Sequence, residues 1–181
     1  MRIISGLNKG RKIQAPKNLP VRPTTDQAKE ALFNIISNKY QLTELSVLDL
    51  YSGTGNISYE FSSRGSTKIT CVDLNSKCIS FIKSICNKLS LKFNIIRSDV
   101  CKFLCKTNFS YDIIFADPPY NFEYSNYEKL ILLIFEKKIL NGEGMIIIEH
   151  SKKTDLKNIK KFNECRKYGD CCFSFFIHKN L

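Results

Sequence analysis

A buried strand that runs straight into two prolines constrains this chain more than any other feature. Residues Tyr111-Asp112-Ile113-Ile114-Phe115-Ala116 form a β-branched and aromatic run, and Asp117-Pro118-Pro119-Tyr120 follows at once. The run reads as a strand buried on both faces. Two consecutive prolines donate no ladder hydrogen bonds and fix the backbone just past the strand's carboxyl end. In an open α/β sheet, ligands bind at that end. The turn therefore offers an acid, two rigid carbonyls and an aromatic ring to the mouth of a crevice.

The rest of the chain supplies the sheet that such a strand needs. Ser46–Leu50 reads as a short buried strand, and residues 51–56 turn it into a helix that ends near Arg64, with Gly65 as the stop. Residues 68–73, 93–97 and 144–149 read as further strands. They alternate with helical patterns at 75–89, about 100–105 and about 124–138, Asn141-Gly142 making the last turn. Such alternation implies a doubly wound, mostly parallel sheet with helices on both faces. Residues 160–167 and 171–178 differ, because the tight link Tyr168-Gly169-Asp170 permits only antiparallel pairing. At the other end, Arg2–Ser5 and Lys12–Ala15 flank a basic turn bounded by Gly6 and Gly10, which suggests a hairpin. Thr24 and Gln27 have capping-box spacing for an amphipathic helix running to about Tyr40.

Size and charge narrow the class. A chain of 181 residues with 43% hydrophobic content is expected to form one domain, residues 1–42 being an extension of a core at 43–181. The net charge of +11 favours a polyanionic partner. Much of the excess lies at the ends: residues 1–22 hold six bases and no acid. Residues 152–167 hold seven bases against Asp155 and Glu164. The eight cysteines form no C-x-x-C pair, so reduced thiols in a cytoplasmic protein are expected, Cys71 and Cys86 as core residues. The four-residue spacing of Cys101 and Cys105 is a weak metal signal, and no metal is expected. No apolar run approaches a membrane span. His150 and His178 sit in no motif and are expected at the surface.

Acids recur at the strand ends. Asp49-x-x-x-Gly53-x-Gly55 lies at the first strand-to-helix turn, where glycines let the backbone approach a ligand. Ser58 stands where a dinucleotide fingerprint has its third glycine. Asp73 ends the second strand and suits a pair of ribose hydroxyls; Asp99, after the third, suits an adenine amine; Asp49 suits an ammonium. A sulfonium among these groups describes S-adenosylmethionine, whereas a nicotinamide dinucleotide would bring a pyrophosphate that four carboxylates repel. The fold is thus read as the class I methyltransferase variant of the Rossmann-like sheet. For the acceptor, Asp117 and the Pro118 carbonyl would each accept an N–H of a planar exocyclic amine, favouring the tetrahedral nitrogen formed during attack. Tyr120 would stack on a base removed from its own stack.

With those residues in view, the chain resembles the RsmD family of bacterial small-subunit (16S) ribosomal RNA guanine-N2 methyltransferases. Asp49–Gly55, Ser63-Arg64-Gly65 and Asp117–Tyr120 carry the resemblance, together with Arg2–Gly6, Lys9–Lys12, Arg22–Asp26, Glu30–Asn34 and the closing Tyr168-Gly169-Asp170 with Phe173–Phe176. The resemblance implies methyl transfer from S-adenosylmethionine to one guanine of small-subunit rRNA already carrying ribosomal proteins. It places Asp49, Gly53, Gly55, Asp73 and Asp99 on the cofactor, and Asp117, Pro118, Pro119 and Tyr120 at the base. It sets the hairpin and helix of residues 1–42 against RNA, with Arg2, Lys9, Arg11, Lys12 and Arg22 on phosphate. The chain departs from the family pattern at Gln27 and Lys29, where arginine is usual, and at Asn56–Ser58. A monomer is expected. The rival readings are a DNA adenine-N6 methyltransferase and an inactive RNA-binding module.

Overall fold

The computed structural model describes residues 1–16, 19, 24–119 and 121–178. Arg22 and Tyr120, assigned above to RNA and to the base, lie outside the described residues. The sheet comprises β1 (Ser46–Leu50), β2 (Lys68–Asp73), β3 (Asn94–Arg97), β4 (Tyr111–Ala116), β5 (Leu140–Ser151), β6 (Phe162–Tyr168) and β7 (Cys171–Ile177). Their order is β3-β2-β1-β4-β5-β7-β6. The first five are parallel, and β7 inserts antiparallel to both β5 and β6. This is a doubly wound Rossmann-like sheet with a closing antiparallel hairpin, as the strand pattern implied.

Burial follows from alternation along buried strands. Val47 packs into one layer with α1 (Asp26–Lys39), α2 (Asn56–Ser63) and α3 (Ser76–Leu89), while Leu48 packs into the other with α4 (Val100–Lys106) and α5 (Tyr124–Glu136). The order reverses between β1 and β4, the topological switch point. There Asp49 pairs with Phe115 and Leu50 with Ala116, so the glycine turn and Asp117 leave the sheet side by side.

The amino-terminal hairpin docks on α2. It is held by one antiparallel bridge, Arg2 to Lys12, and by Ile3 N–H to Arg11 O at 3.0 Å and Ile13 N–H to Met1 O at 3.0 Å. Gly6 has φ +80°, and a Cβ there would fall 1.8 Å from the Ser63 carbonyl oxygen. The bare turn thereby caps the end of α2, with Leu7 N–H donating to Ser63 O at 2.7 Å and the Ser63 hydroxyl donating to Ser5 O at 2.5 Å.

Four local expectations change. The N-cap of α1 is Thr25, whose hydroxyl accepts from Ala28 N–H at 3.2 Å, because the Thr24 hydroxyl is bound elsewhere. β5 starts at Leu140, through the expected Asn141-Gly142 turn, with an irregular register that pairs Tyr111 with Leu140 and Ile113 with Met145. Asn141 Nδ2 fills the gap by donating to Asp112 Oδ1 at 2.6 Å. His150 is buried rather than exposed, its Nε2 lying 2.7 Å from the Ser174 hydroxyl, and His178 is half-buried. Lys29, on the helix expected to face RNA, is fully buried. Cys71 and Cys86 are core residues as expected.

Candidate active site

A cavity of about 630 Å³ opens at the carboxyl ends of β1, β4 and β5, a size within the range of small-molecule sites. The first wall is the turn after β1. Tyr51, Gly53 and Gly55 all have left-handed φ, +55°, +51° and +77°, so the chain reverses within five residues. A non-glycine residue in that region is strained, a common mark of a working site. Asp73 reaches back from β2 to pin the turn: its Oδ2 accepts Gly53 N–H at 2.8 Å and its Oδ1 accepts Asn75 N–H at 2.7 Å. Each oxygen keeps a lone pair for a ligand.

Gly53 lines the cavity; Gly55 is not among the lining residues. A Cβ on Gly55 would lie 3.0 Å from the Tyr59 ring and 3.2 Å from Ile82, so this glycine is required by the protein's own core. Asp99 is likewise not a lining residue, and its Oδ1 caps α4 by accepting Lys102 N–H at 2.9 Å. Pro119 lines the cavity while Pro118 is buried beside it.

Five acidic residues line this space, Asp49, Asp73, Asp117, Glu149 and Asp170, and three of them have raised pKa values. Asp49, at 2% exposure, accepts the Ser58 hydroxyl at 2.5 Å. Burial pushes its pKa up to about 7, the Ser58 bond opposing and the nearby Asp73 charge adding. Burial also raises Asp117 well above the usual carboxylate range, with help from the charges of Glu149 and Asp49. Glu149 is raised by burial, against hydrogen bonds from Thr24 and Cys171. Among the described residues, no lysine or arginine lines the cavity. Ser52 Oγ, buried on the same wall, has no hydrogen-bond partner among the described residues. An acid-lined cavity with an orphaned hydroxyl, in a chain of net charge +11, fits a cationic, polar ligand. S-adenosylmethionine has that character.

The remaining walls were not foreseen. Thr24, Gln27 and Ala28 enter from the start of α1, and Tyr168–Cys171 close the far side from the β6–β7 turn. Glu149 closes the 144–149 run read from the sequence and lies near the carboxyl end of β5, just as Asp49, Asp73 and Asp117 lie near the ends of their strands, and that shared position is the signal by which the sequence identifies it. Tyr51, which lines the cavity, stacks edge-on against Phe122 at 5.8 Å, and Phe122 against Tyr127 at 4.8 Å, an aromatic cluster next to the Asp117 turn. Arg2, Lys9, Arg11 and Lys12 are exposed. Arg2 is tied to α1 by Nε to Asp26 Oδ2 at 3.1 Å, beside the part of α1 that lines the cavity.

Residues 1–177 match the family model described as conserved hypothetical protein 95. The chain is 37% identical over 150 residues to ribosomal RNA small subunit methyltransferase D of Buchnera aphidicola subsp. Baizongia pistaciae, covering 82% of this chain and 75% of that one. It is 30% identical over 185 residues to the protein of the same name from Haemophilus influenzae, covering 99% and 94%. Among solved structures, "Putative methyltransferase yhhF from Escherichia coli" superposes with a TM-score of 0.84 at 25% identity, over 97% of this chain and 96% of that one.

Proposed function

Since the chain belongs to the RsmD family of ribosomal RNA methyltransferases, we propose that it methylates the exocyclic N2 amine of one guanine in small-subunit rRNA, using S-adenosylmethionine, on an assembling subunit. The observation that carries this reading is the cluster of raised carboxyls around one cavity at the β1–β4 switch point, with no lysine or arginine lining it among the described residues.

Bound S-adenosylmethionine supplies an electrophilic methyl group on a sulfonium. Asp49, Asp73 and the Gly53 turn would hold it, with Ser52 Oγ as an available donor or acceptor. Asp117 projects from the neighbouring strand end, and its carboxyl has no hydrogen-bond donor among the described residues. It is placed to accept an amine N–H, and the Pro118 carbonyl a second, orienting the nitrogen lone pair toward the donor side of the cavity. The shift in Asp117 fits this role, because amine donors and a cationic neighbour both favour the charged carboxylate that burial disfavours. Arg2, Lys9, Arg11 and Lys12 would hold phosphates around the mouth, giving affinity without base specificity.

The test is direct. Incubation with methyl-labelled S-adenosylmethionine and small subunits from cells lacking this methylation should place label on N2 of one guanine. Label on DNA adenine instead, or on no nucleic acid, would overturn the reading.

A further inference from the structure

The Asp117 carboxyl does not face the cavity alone. β4 and β5 are parallel, with Phe115 opposite Ile147 and Ala116 opposite Ile148. The next residues on the two strands are Asp117 and Glu149, one strand spacing apart, about 4.8 Å. Both line the cavity. Glu149 is held there: the Thr24 hydroxyl donates to its Oε2 at 2.7 Å and the Cys171 thiol is a second, weaker donor, which leaves the carboxyl with lone pairs for anything that enters. A purely structural carboxylate buried in a strand requires a cation or a full set of donors, and Glu149 has no cation within salt-bridge distance among the described residues.

Two acceptors side by side match one purine edge. Guanine presents N1–H and N2–H on neighbouring positions, donor beside donor. Adenine presents an amine beside a lone pair, which would meet a carboxylate lone pair to lone pair.

We propose that Glu149 accepts the ring N1–H of the target base while Asp117 accepts its N2–H, so that the pair selects guanine over purines lacking an N1 donor. This rests on the guanine-N2 reading above and assigns the residue that enforces it. The raised affinity of Glu149 for its proton is consistent with the role, since a donor arriving from the base favours the ionised form.

The experiment uses small subunits reassembled from ribosomal RNA ligated to carry one altered purine at the position the wild-type enzyme methylates. 2-Aminopurine keeps the exocyclic amine and replaces N1–H by a lone pair; 1-deazaguanine keeps the amine and O6 and replaces N1–H by C–H. Wild-type kcat/KM should fall by about 10²-fold or more on either, the scale expected when a buried polar group loses its partner. In Glu149→Gln the new amide donates to the 2-aminopurine lone pair. The preference for guanine over 2-aminopurine should then shrink to within about tenfold, with the cofactor Kd unchanged within about threefold. A merely structural Glu149 would lower both rates equally and leave the ratio alone, and that result overturns the proposal. Should the variant fail to fold, the wild-type rate on 1-deazaguanine decides: parity with guanine overturns it. A wild type that labels no guanine at all defeats the guanine-N2 reading itself, and this assignment with it.

Discussion

Glu60 and Asp49 are both carboxylates shut away from solvent, yet the protein treats them in opposite ways. Glu60, on α2, sits within reach of two cations, Arg64 Nε at 2.8 Å and Lys29 Nζ at 3.6 Å. It also accepts Ile4 N–H at 2.8 Å and Ser5 N–H at 3.0 Å from the amino-terminal hairpin. Lys29 completes the set by donating to Arg2 O at 2.6 Å and to Asn56 Oδ1 at 2.8 Å. Every charge in that junction is answered from within the chain. Asp49 has the hydroxyl and backbone of one serine, Ser58, and two further acids for neighbours, with no cation in reach among the described residues. The contrast separates structure from function: a buried charge the protein satisfies itself fixes an arm in place, and one it leaves unanswered is addressed to a ligand.

That difference can be broken at several points. Glu60→Gln leaves Lys29 buried without its counter-charge and should cost the most, about 3–5 kcal/mol in urea unfolding; a loss under 1 kcal/mol would mean the junction is not held by charge. Asp117→Ala should bind cofactor normally and lose about 10²–10³-fold in kcat; undiminished turnover would remove Asp117 from its role. Gly6→Ala forces a Cβ against the Ser63 carbonyl at a positive φ and should cost about 1–3 kcal/mol. Faster hydrogen exchange confined to residues 2–13 would be the signature of the undocked hairpin.

The smallest effect has the opposite sign. A carboxyl with a raised folded-state pKa contributes stability at low pH that is lost as pH rises, here from about 4 through about 7 for Asp49. Asp49→Asn should remove that loss, so the ligand-free variant should be more stable than wild type at pH 8, by less than the ceiling of about 4 kcal/mol that a pKa moved from about 4 to about 7 sets, while binding the cofactor more weakly. Equal stability at pH 8 would show that Asp49 is not held uncompensated.

The sheet was legible because its signals are local and redundant: a run such as Ile113–Ala116 has one way to be buried, and Gly65 or Pro118 stops an element wherever it falls. Asp49, Asp73 and Asp117 were legible for the same reason, since strand order places them without knowledge of side-chain contacts; Asp99 is the exception, capping α4 instead of lining the cavity. What escaped depended on long-range partners. Thr24 reads as a helix cap until Glu149, 125 residues away, takes its hydroxyl. Lys29 reads only as a departure from the family's arginine until the hairpin covers it. Gly55 carries a cofactor motif, yet its missing Cβ makes room for Tyr59. His150 carries no motif, and its burial follows only from β7 pairing alongside β5.

Calorimetry of S-adenosylmethionine binding at pH 6, in buffers of different ionisation enthalpy, tests the central claim most directly. With Asp49 protonated at that pH in the free protein and ionised beside a cation, binding should release close to one proton, and affinity should climb about tenfold per pH unit up to about 7 and then level off. Asp49→Asn should abolish both effects. Binding that releases no proton and ignores pH between 5 and 8 would contradict the claim that the cavity's carboxyls await a cation.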